Sequence, residues 1–333
     1  MKHRRFLGGL AAVVLVAAGC SGAASNAPSA GASAGAIGAA GAGKGLDIEV
    51  VTHGQSSDPF WSIFVNGTKQ AAADTGATVN YNAPSGTTFD INAMNQLIDA
   101  AVAKKPAGLI VSIPNADAEG PHIKAAIAAG IPVISANSGS DVYQSLGILT
   151  HVGQNEEIAG QKAGALMKAA GVTNALCINQ EVGNAGLDAR CKGFAEGLGG
   201  KSTVLAVQLS DQPGSQQKIQ AAIQADSSIN GIMALGPTGA SPALKALQAL
   251  NNTSVKLATF DLSQDVLQAI KGGTMLFAID QQQWLQGYLP VMFLVYYHLY
   301  GVMPGGGQPI LTGPGVVDKT NVDTVIANTG TTR

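Results

Sequence analysis

The chain has 333 residues, 12% of them charged, and a formal net charge of -2 at pH 7. That balance leaves no basic stripe to neutralise phosphates, which excludes nucleic acid as a partner. The length beyond residue 45 is ample for two lobes with separate cores.

Lys2, His3, Arg4 and Arg5 precede an apolar run from Phe6 to Ala18, closed by Gly19 and Cys20. This order reads as a secretory signal over residues 1–19. The run is shorter than the ~20 residues a membrane-spanning helix needs. Ala17-Ala18-Gly19-Cys20 looks like a lipobox, with Ala17 where Leu is commoner, and Cys20 as the diacylated N-terminus. Ordinary cleavage beside an incidental Cys is the alternative. Residues 20–45 are almost wholly Ala, Gly and Ser, a composition that cannot bury enough surface to fold, and read as a lipid-anchored tether. Gly31 to Gly35 spells Gly-x-Ser-x-Gly, but without the strand and helix which that nucleophile motif requires.

Beyond the tether, short β-rich runs at 48–52, 77–81, 108–113, 131–135 and 147–151 alternate with stretches of helical period. Met94, Leu97, Ile98 and Ala101 mark one such helix, and Gly130 closes the next. A second series of runs follows at 174–179, 203–207, 231–235, 256–260 and 275–279, after a helix with Ala159, Ala163, Leu166 and Ala170 on one face. Runs apolar on both faces belong to parallel sheets, so two doubly wound α/β lobes are predicted. In such sheets ligands lie beyond the carboxyl ends of the strands. Residues 288–303 are strongly apolar but interrupted by Pro290 and His298, and predict a helix buried in a lobe rather than a span. His298 has no ligand-spaced Cys, Asp or Glu around it and reads as a packing or surface residue. With Cys20 assigned to lipid, Cys177 and Cys191 remain, either bridged in an oxidising compartment or free and buried.

The segments after the strands resemble the sugar-binding subfamily of type I periplasmic binding proteins, which serves ABC importers and includes ribose and galactose binders. The resemblance is carried in order by 57–61, Ser-Asp-Pro-Phe-Trp, by 131–137, Ile-Pro-Val-Ile-Ser-Ala-Asn, and by 151–160. It continues through 183–194, Gly-Asn-Ala-Gly-Leu-Asp-Ala-Arg-Cys-Lys-Gly-Phe, through 259–261, Thr-Phe-Asp, and through 278–288. It implies two lobes joined by a hinge that the chain crosses three times, near Val152, Gln282 and Gln308. The N-terminal lobe would then hold 46–151 plus 282–308, and the C-terminal lobe 152–281 plus 309–333.

The resemblance also implies a site. Phe60 and Trp61 match the stacking pair for sugar C–H faces, and Asp58 matches a hydroxyl-binding position. Arg190 matches the arginine that donates to ring and hydroxyl oxygens, and Asp261 the carboxylate that accepts from two hydroxyls. For both, an ion pair internal to one lobe is the alternative. Gln281 matches a hinge amide, and Asn137, beside Ser138, stands where ribose-type proteins often carry Asp. Gln212 falls where the family often places an aromatic; one missing ring wall makes a tetritol or pentitol as fitting as a pentose. His53 follows the first strand and adds either a donor or acceptor or a plain loop residue.

No Ser/His/Asp order at strand ends, Cys-x-x-Cys pair or Gly-rich phosphate loop occurs, so neither an enzyme, a cofactor nor a metal is expected. The expectation is a monomeric lipoprotein that closes on a pentose, hexose or C4–C5 polyol and delivers it to an ABC importer permease. It would touch the membrane through its lipid anchor only. A chemosensory or signalling-molecule receptor has the same fold; a sugar-responsive regulator is disfavoured because residues 1–45 offer no DNA-binding segment. Cys20→Ala should release the protein from the membrane fraction with ligand affinity unchanged; a variant that stays with the membrane argues against a lipid anchor.

Overall fold

The computed structural model describes residues 41–54, 58–86 and 89–333. The signal, Cys20 and the tether up to residue 40 lie outside the described residues. The last tether residues do not: Gly41 to Gly45 form a turn whose Gly43 N–H donates to Thr75 O at 2.7 Å. Gly43 is buried because Thr75, Ala77 and Val295 surround it, so the folded body begins a few residues earlier than composition indicates.

The first lobe runs β1 (Asp47–Val51), α1 (Pro59–Thr75), β2 (Thr78–Asn82), α2 (Ile91–Ala103), β3 (Gly108–Val111), α3 (Ala116–Ala128), β4 (Val133–Asn137), α4 (Tyr143–Leu146) and β5 (His151–Gly153). The second runs α5 (Glu156–Ala169), β6 (Asn174–Asn179), α6 (Ala185–Leu198), β7 (Lys201–Ala206), α7 (Gln212–Ala225), β8 (Gly231–Ala234), α8 (Pro237–Ala249), β9 (Lys256–Phe260), α9 (Gln264–Gly272) and β10 (Phe277–Asp280). Then α10 (Gln283–Tyr300) and β11 (Ile310–Leu311) return to the first lobe, and β12 (Gly315–Asp318) and α11 (Val322–Ile326) to the second. The sheets have orders β11-β5-β4-β3-β1-β2 and β12-β10-β9-β8-β6-β7; every pairing is parallel except β10 with β12.

Two expected boundaries move. The fifth run was placed at 147–151, but Gly147 caps α4 in a left-handed conformation and the strand starts at His151. The third passage between lobes, expected near Gln308, falls after Leu311, because Ile310 and Leu311 still pair with Val152 and Gly153. That strand has only two residues, too few for a period of 2 to be visible.

Glycines set two close helix pairs. A Cβ on Gly67 would stand 2.1 Å from Trp284 O, and one on Gly287 2.0 Å from Phe64 O, so α1 and α10 meet backbone to backbone. A Cβ on Gly160 would lie 2.3 Å from Arg190 O, and one on Gly193 2.0 Å from Glu157 O, which seats α5 on α6 in the same way. Cys177 on β6 and Cys191 on α6 are joined by a disulfide with a sequence separation of 14. It ties α6, which carries Arg190, to the sheet. Breaking it with Cys177→Ser should lower unfolding free energy by about 3 kcal/mol, the entropy of releasing a loop of that length. Denaturant melts of wild type and variant check this; coincident curves would show that the bridge adds no stability.

Candidate functional site

The carboxyl ends of both sheets face one another across a narrow cleft. From the first lobe come His53, Asp58, Phe60, Trp61 and Asn137, and from the hinge Gln281. The second lobe contributes Gln180, Glu181, Leu187, Arg190, Leu235, Gly236, Pro237 and Asp261.

On the first wall, Asp58 caps α1 by accepting from Phe60 N at 2.8 Å, which places Phe60 and Trp61 in the first turn at the cleft. Burial pushes the Asp58 carboxyl up to about 6, against the pull of that backbone N–H. Trp61 packs edge-on against His53 and Phe60, with ring centroids 4.8 and 4.9 Å away. Its indole lies over Gly54, where a Cβ would stand 2.2 Å from the ring. The backbone N–H of His53 donates to Ser112 Oγ at 2.9 Å, and its Nδ1 is 2.8 Å from the same oxygen. Burial, and then the nearby Arg190 charge, hold the imidazole down at about 3, so it is neutral at physiological pH.

On the second wall, Arg190 is buried and fully engaged. Its Nε and Nη2 donate to both oxygens of Glu156 at 2.6 and 3.1 Å, its Nη1 donates to Leu235 O at 3.0 Å, and the guanidinium lies 4.7 Å over the Phe260 ring. Asp261 Oδ2 is 3.7 Å from Nη1. Arg190 thus both lines the cleft and forms an ion pair inside its own lobe. The coulombic field of Glu156 and its hydrogen bonds keep the guanidinium charged despite burial. Asp261 accepts from Gln281 Nε2 at 2.7 Å; burial pushes it up to about 7, against the Arg190 charge that pulls it down.

These groups link into one polar series. Ser138 Oγ donates to Asn137 Oδ1 at 2.9 Å, Asn137 Nδ2 donates to Gln281 Oε1 at 3.3 Å, and Gln281 passes the series to Asp261. Ser138 does not itself line the cleft, but supports Asn137. Asn137, Asp261 and Gln282 all hold positive φ, at 68°, 62° and 55°, as the chain leaves β4, β9 and β10. Non-glycine residues adopt this region at a cost, and it clusters at functional sites.

Gln212 is not in the cleft. As the first residue of α7 its Nε2 donates to Thr238 O at 3.0 Å, and it faces a neighbouring groove beside α8. The second wall is not missing, however: Leu187, Leu235 and Pro237 provide an aliphatic face where an aromatic was sought. Gln180 and Glu181 were also passed over, although they directly follow β6. Gln180 Oε1 is buried without a partner. Burial raises Glu181 to about 7, its Oε2 accepts from Asn184 Nδ2 at 2.7 Å, and it lies 3.8 Å from His53 Nε2 across the cleft. Ala185 N donates to Pro114 O at 2.9 Å, so the lobes touch directly and the cleft is closed.

A family model described as the periplasmic binding protein domain matches residues 48–299. The chain belongs to this family. A carbohydrate transporter from Acidothermus cellulolyticus, solved in complex with myo-inositol, is 38% identical; the alignment covers 86% of this chain and 99% of that one, with a TM-score of 0.82. The xylose/arabinose-binding protein of Sulfolobus acidocaldarius is 25% identical over 238 residues, 66% of this chain and 58% of the archaeal protein's length. The D-apiose import binding protein of Actinobacillus succinogenes is 27% identical over 239 residues, 69% of this chain and 74% of that protein. These relatives are solute-binding proteins, and this periplasmic binding protein is not an enzyme.

Arg190 and Asp261 differ in their attachments, and the difference is measurable. Arg190→Ala leaves Glu156 buried with only Gln154 Nε2, at 2.9 Å, and should cost about 3 to 5 kcal/mol of stability. Asp261→Ala removes a carboxyl whose pKa is raised on folding, so its charged form opposes the fold near neutrality, and stability should hold or rise. Thermal melts at pH 7.5 decide this; equal losses in the two variants would mean that Asp261 is as structural as Arg190.

Proposed function

We propose that this periplasmic binding protein captures a small polyhydroxylated ligand, a sugar or sugar alcohol, outside the cytoplasmic membrane. It passes the ligand to an ABC importer permease, and is held at the membrane by lipid on Cys20. The observation that carries the reading is the chemistry of the closed cleft. Asp58, Glu181, Asp261 and the unpartnered Gln180 Oε1 offer acceptors, and Arg190 is the fixed cation among them. Such a set suits a ligand that donates hydroxyl hydrogens in several directions. Phe60 and Trp61 on one side, with Leu187, Leu235 and Pro237 on the other, suit a ring with C–H faces. A cyclic polyol has no ring oxygen demanding a donor, which suits an acceptor-rich cleft better than a ring-form sugar does, and its ring faces both apolar walls, which an open C4–C5 polyol uses less well. The relative solved with myo-inositol supports this choice. Ligand enclosed between two lobes implies hinge opening for entry and release.

Ligand hydroxyls donate best to an ionised Asp261. Since burial raises its carboxyl to about 7, binding that favours the ionised form should release a proton and tighten as pH rises from 6 to 8. Calorimetric titration against myo-inositol, pentoses, hexoses and C4–C6 polyols tests the reading. A cyclitol should bind most tightly, and Asp261→Ala should weaken it by about 2 to 4 kcal/mol and reduce the pH dependence, leaving the part that Glu181 and Asp58 carry. If no member of the panel binds, or if Asp261→Ala leaves affinity intact, the assignment of ligand and site is wrong.

A further inference from the structure

Among the described residues eight large apolar side chains are exposed; Ile158, Val182, Val204 and Leu311 stand singly, and the other four are adjacent in sequence. Tyr297 (36%), Leu299 (42%), Tyr300 (40%) and Val302 (51%) occupy the last turn of α10 and the residues just after it. The turn lies at the amino edge of the first lobe's sheet, the edge away from the cleft. His298 bonds the carbonyl of Ala107, next to the start of β3, and Ala107 N donates to Asp47 O at the start of β1. The folded chain also begins at this edge, where Gly43 packs against Val295 of α10. Lys44 and Lys105 are exposed along it, beside the exposed Asp47; Lys104 is exposed there too, but its ammonium pairs with Glu49 at 3.0 Å.

We propose that this edge is a membrane-facing surface, on which the tyrosine-bearing turn of α10 rests in the headgroup layer of an anionic bilayer. The proposal rests on the reading of Cys20 as an acylated N-terminus. Three observations choose lipid over other occupants. The described chain begins at this edge with Gly41, and the 21 residues from Cys20 to residue 40 reach at most about 75 Å, so an anchor at Cys20 attaches to the body on this side rather than on the cleft side. Tyrosine, apolar in the ring and polar at the tip, is enriched at membrane–water boundaries, and flanking lysines meet anionic headgroups. The exposed apolar area is on the order of 300 Å², well short of the ~800 Å² per partner of a stable protein interface, yet enough to orient a body already tethered.

The test uses mature protein produced from the full chain in a lipoprotein-processing host, carrying Val302→Cys with a nitroxide, and a second preparation labelled at Gln224→Cys on α7 of the other lobe. Each is measured in solution and on vesicles of phosphatidylglycerol and phosphatidylcholine. On vesicles, the label at 302 should become severalfold less accessible to a water-soluble nickel chelate and more accessible to oxygen, while the label at 224 stays unchanged. Protein that sediments with vesicles but keeps position 302 as accessible as in solution overturns the proposal alone. Protein that fails to sediment overturns the acyl-anchor reading as well. Protection of position 302 that grows with protein concentration in the absence of vesicles overturns it in favour of contact between two copies.

Discussion

A guanidinium removed from water must be balanced by charge within a few ångströms, because the desolvation of an isolated ion is larger than any packing gain around it. In this protein Arg190 sets that constraint. Glu156 meets it by a two-pronged bond, Leu235 O and the Phe260 face occupy the remaining directions, and Gln154 steadies Glu156 from the hinge. With Arg190 already balanced, Asp261, Glu181 and Asp58 are left buried with only partial compensation. Their raised pKa values follow from burial, which the neighbouring donors and the Arg190 charge offset only in part.

The framework that holds Arg190 in place is built from absent atoms as much as present ones. Gly160 and Gly193 let α5 and α6 approach until Glu156, at the start of one helix, reaches Arg190 on the other. Any side chain at either glycine would meet backbone, which cannot rotate away. The same device joins α1 to α10, so the aromatic pair at the head of α1 and the hinge glutamines at the head of α10 share one rigid body. The left-handed backbone at Asn137 and Asp261 then turns the chain sharply after each strand, and their amide and carboxylate meet through Gln281. Asn137, Gln281 and Asp261, from the two lobes and the hinge, thus form one hydrogen-bonded series along the cleft.

Much of this was legible along the chain. Central strands of a doubly wound sheet are apolar on both faces, so the runs at 108–113, 174–179, 231–235 and 256–260 stand out, and all four contain observed strands. The rule that ligand groups follow such strands, together with the resemblance, led to Asp58, Phe60, Trp61, Asn137, Arg190, Asp261 and Gln281, all of which line the cleft. Other features carry no local mark. Strand β11 has two residues and β12 runs against its neighbour at a sheet edge, so neither shows a period or a buried run. Leu187, Leu235 and Pro237 read as core or helix-start residues until the opposite lobe is placed against them.

The sequence by itself determined the two-lobed α/β architecture and the strand ends that carry the polar groups, because burial on both faces of a parallel sheet writes a pattern over consecutive residues. Only the tertiary structure decided that Arg190 answers first to Glu156, 34 residues away in sequence, and that Gln212 turns from the cleft toward Thr238. It likewise decided that Glu181 faces His53 across 128 residues of chain. A side chain's partner depends on helix approach distances and lobe closure, which arise from contacts far apart in sequence and leave no periodic trace within it.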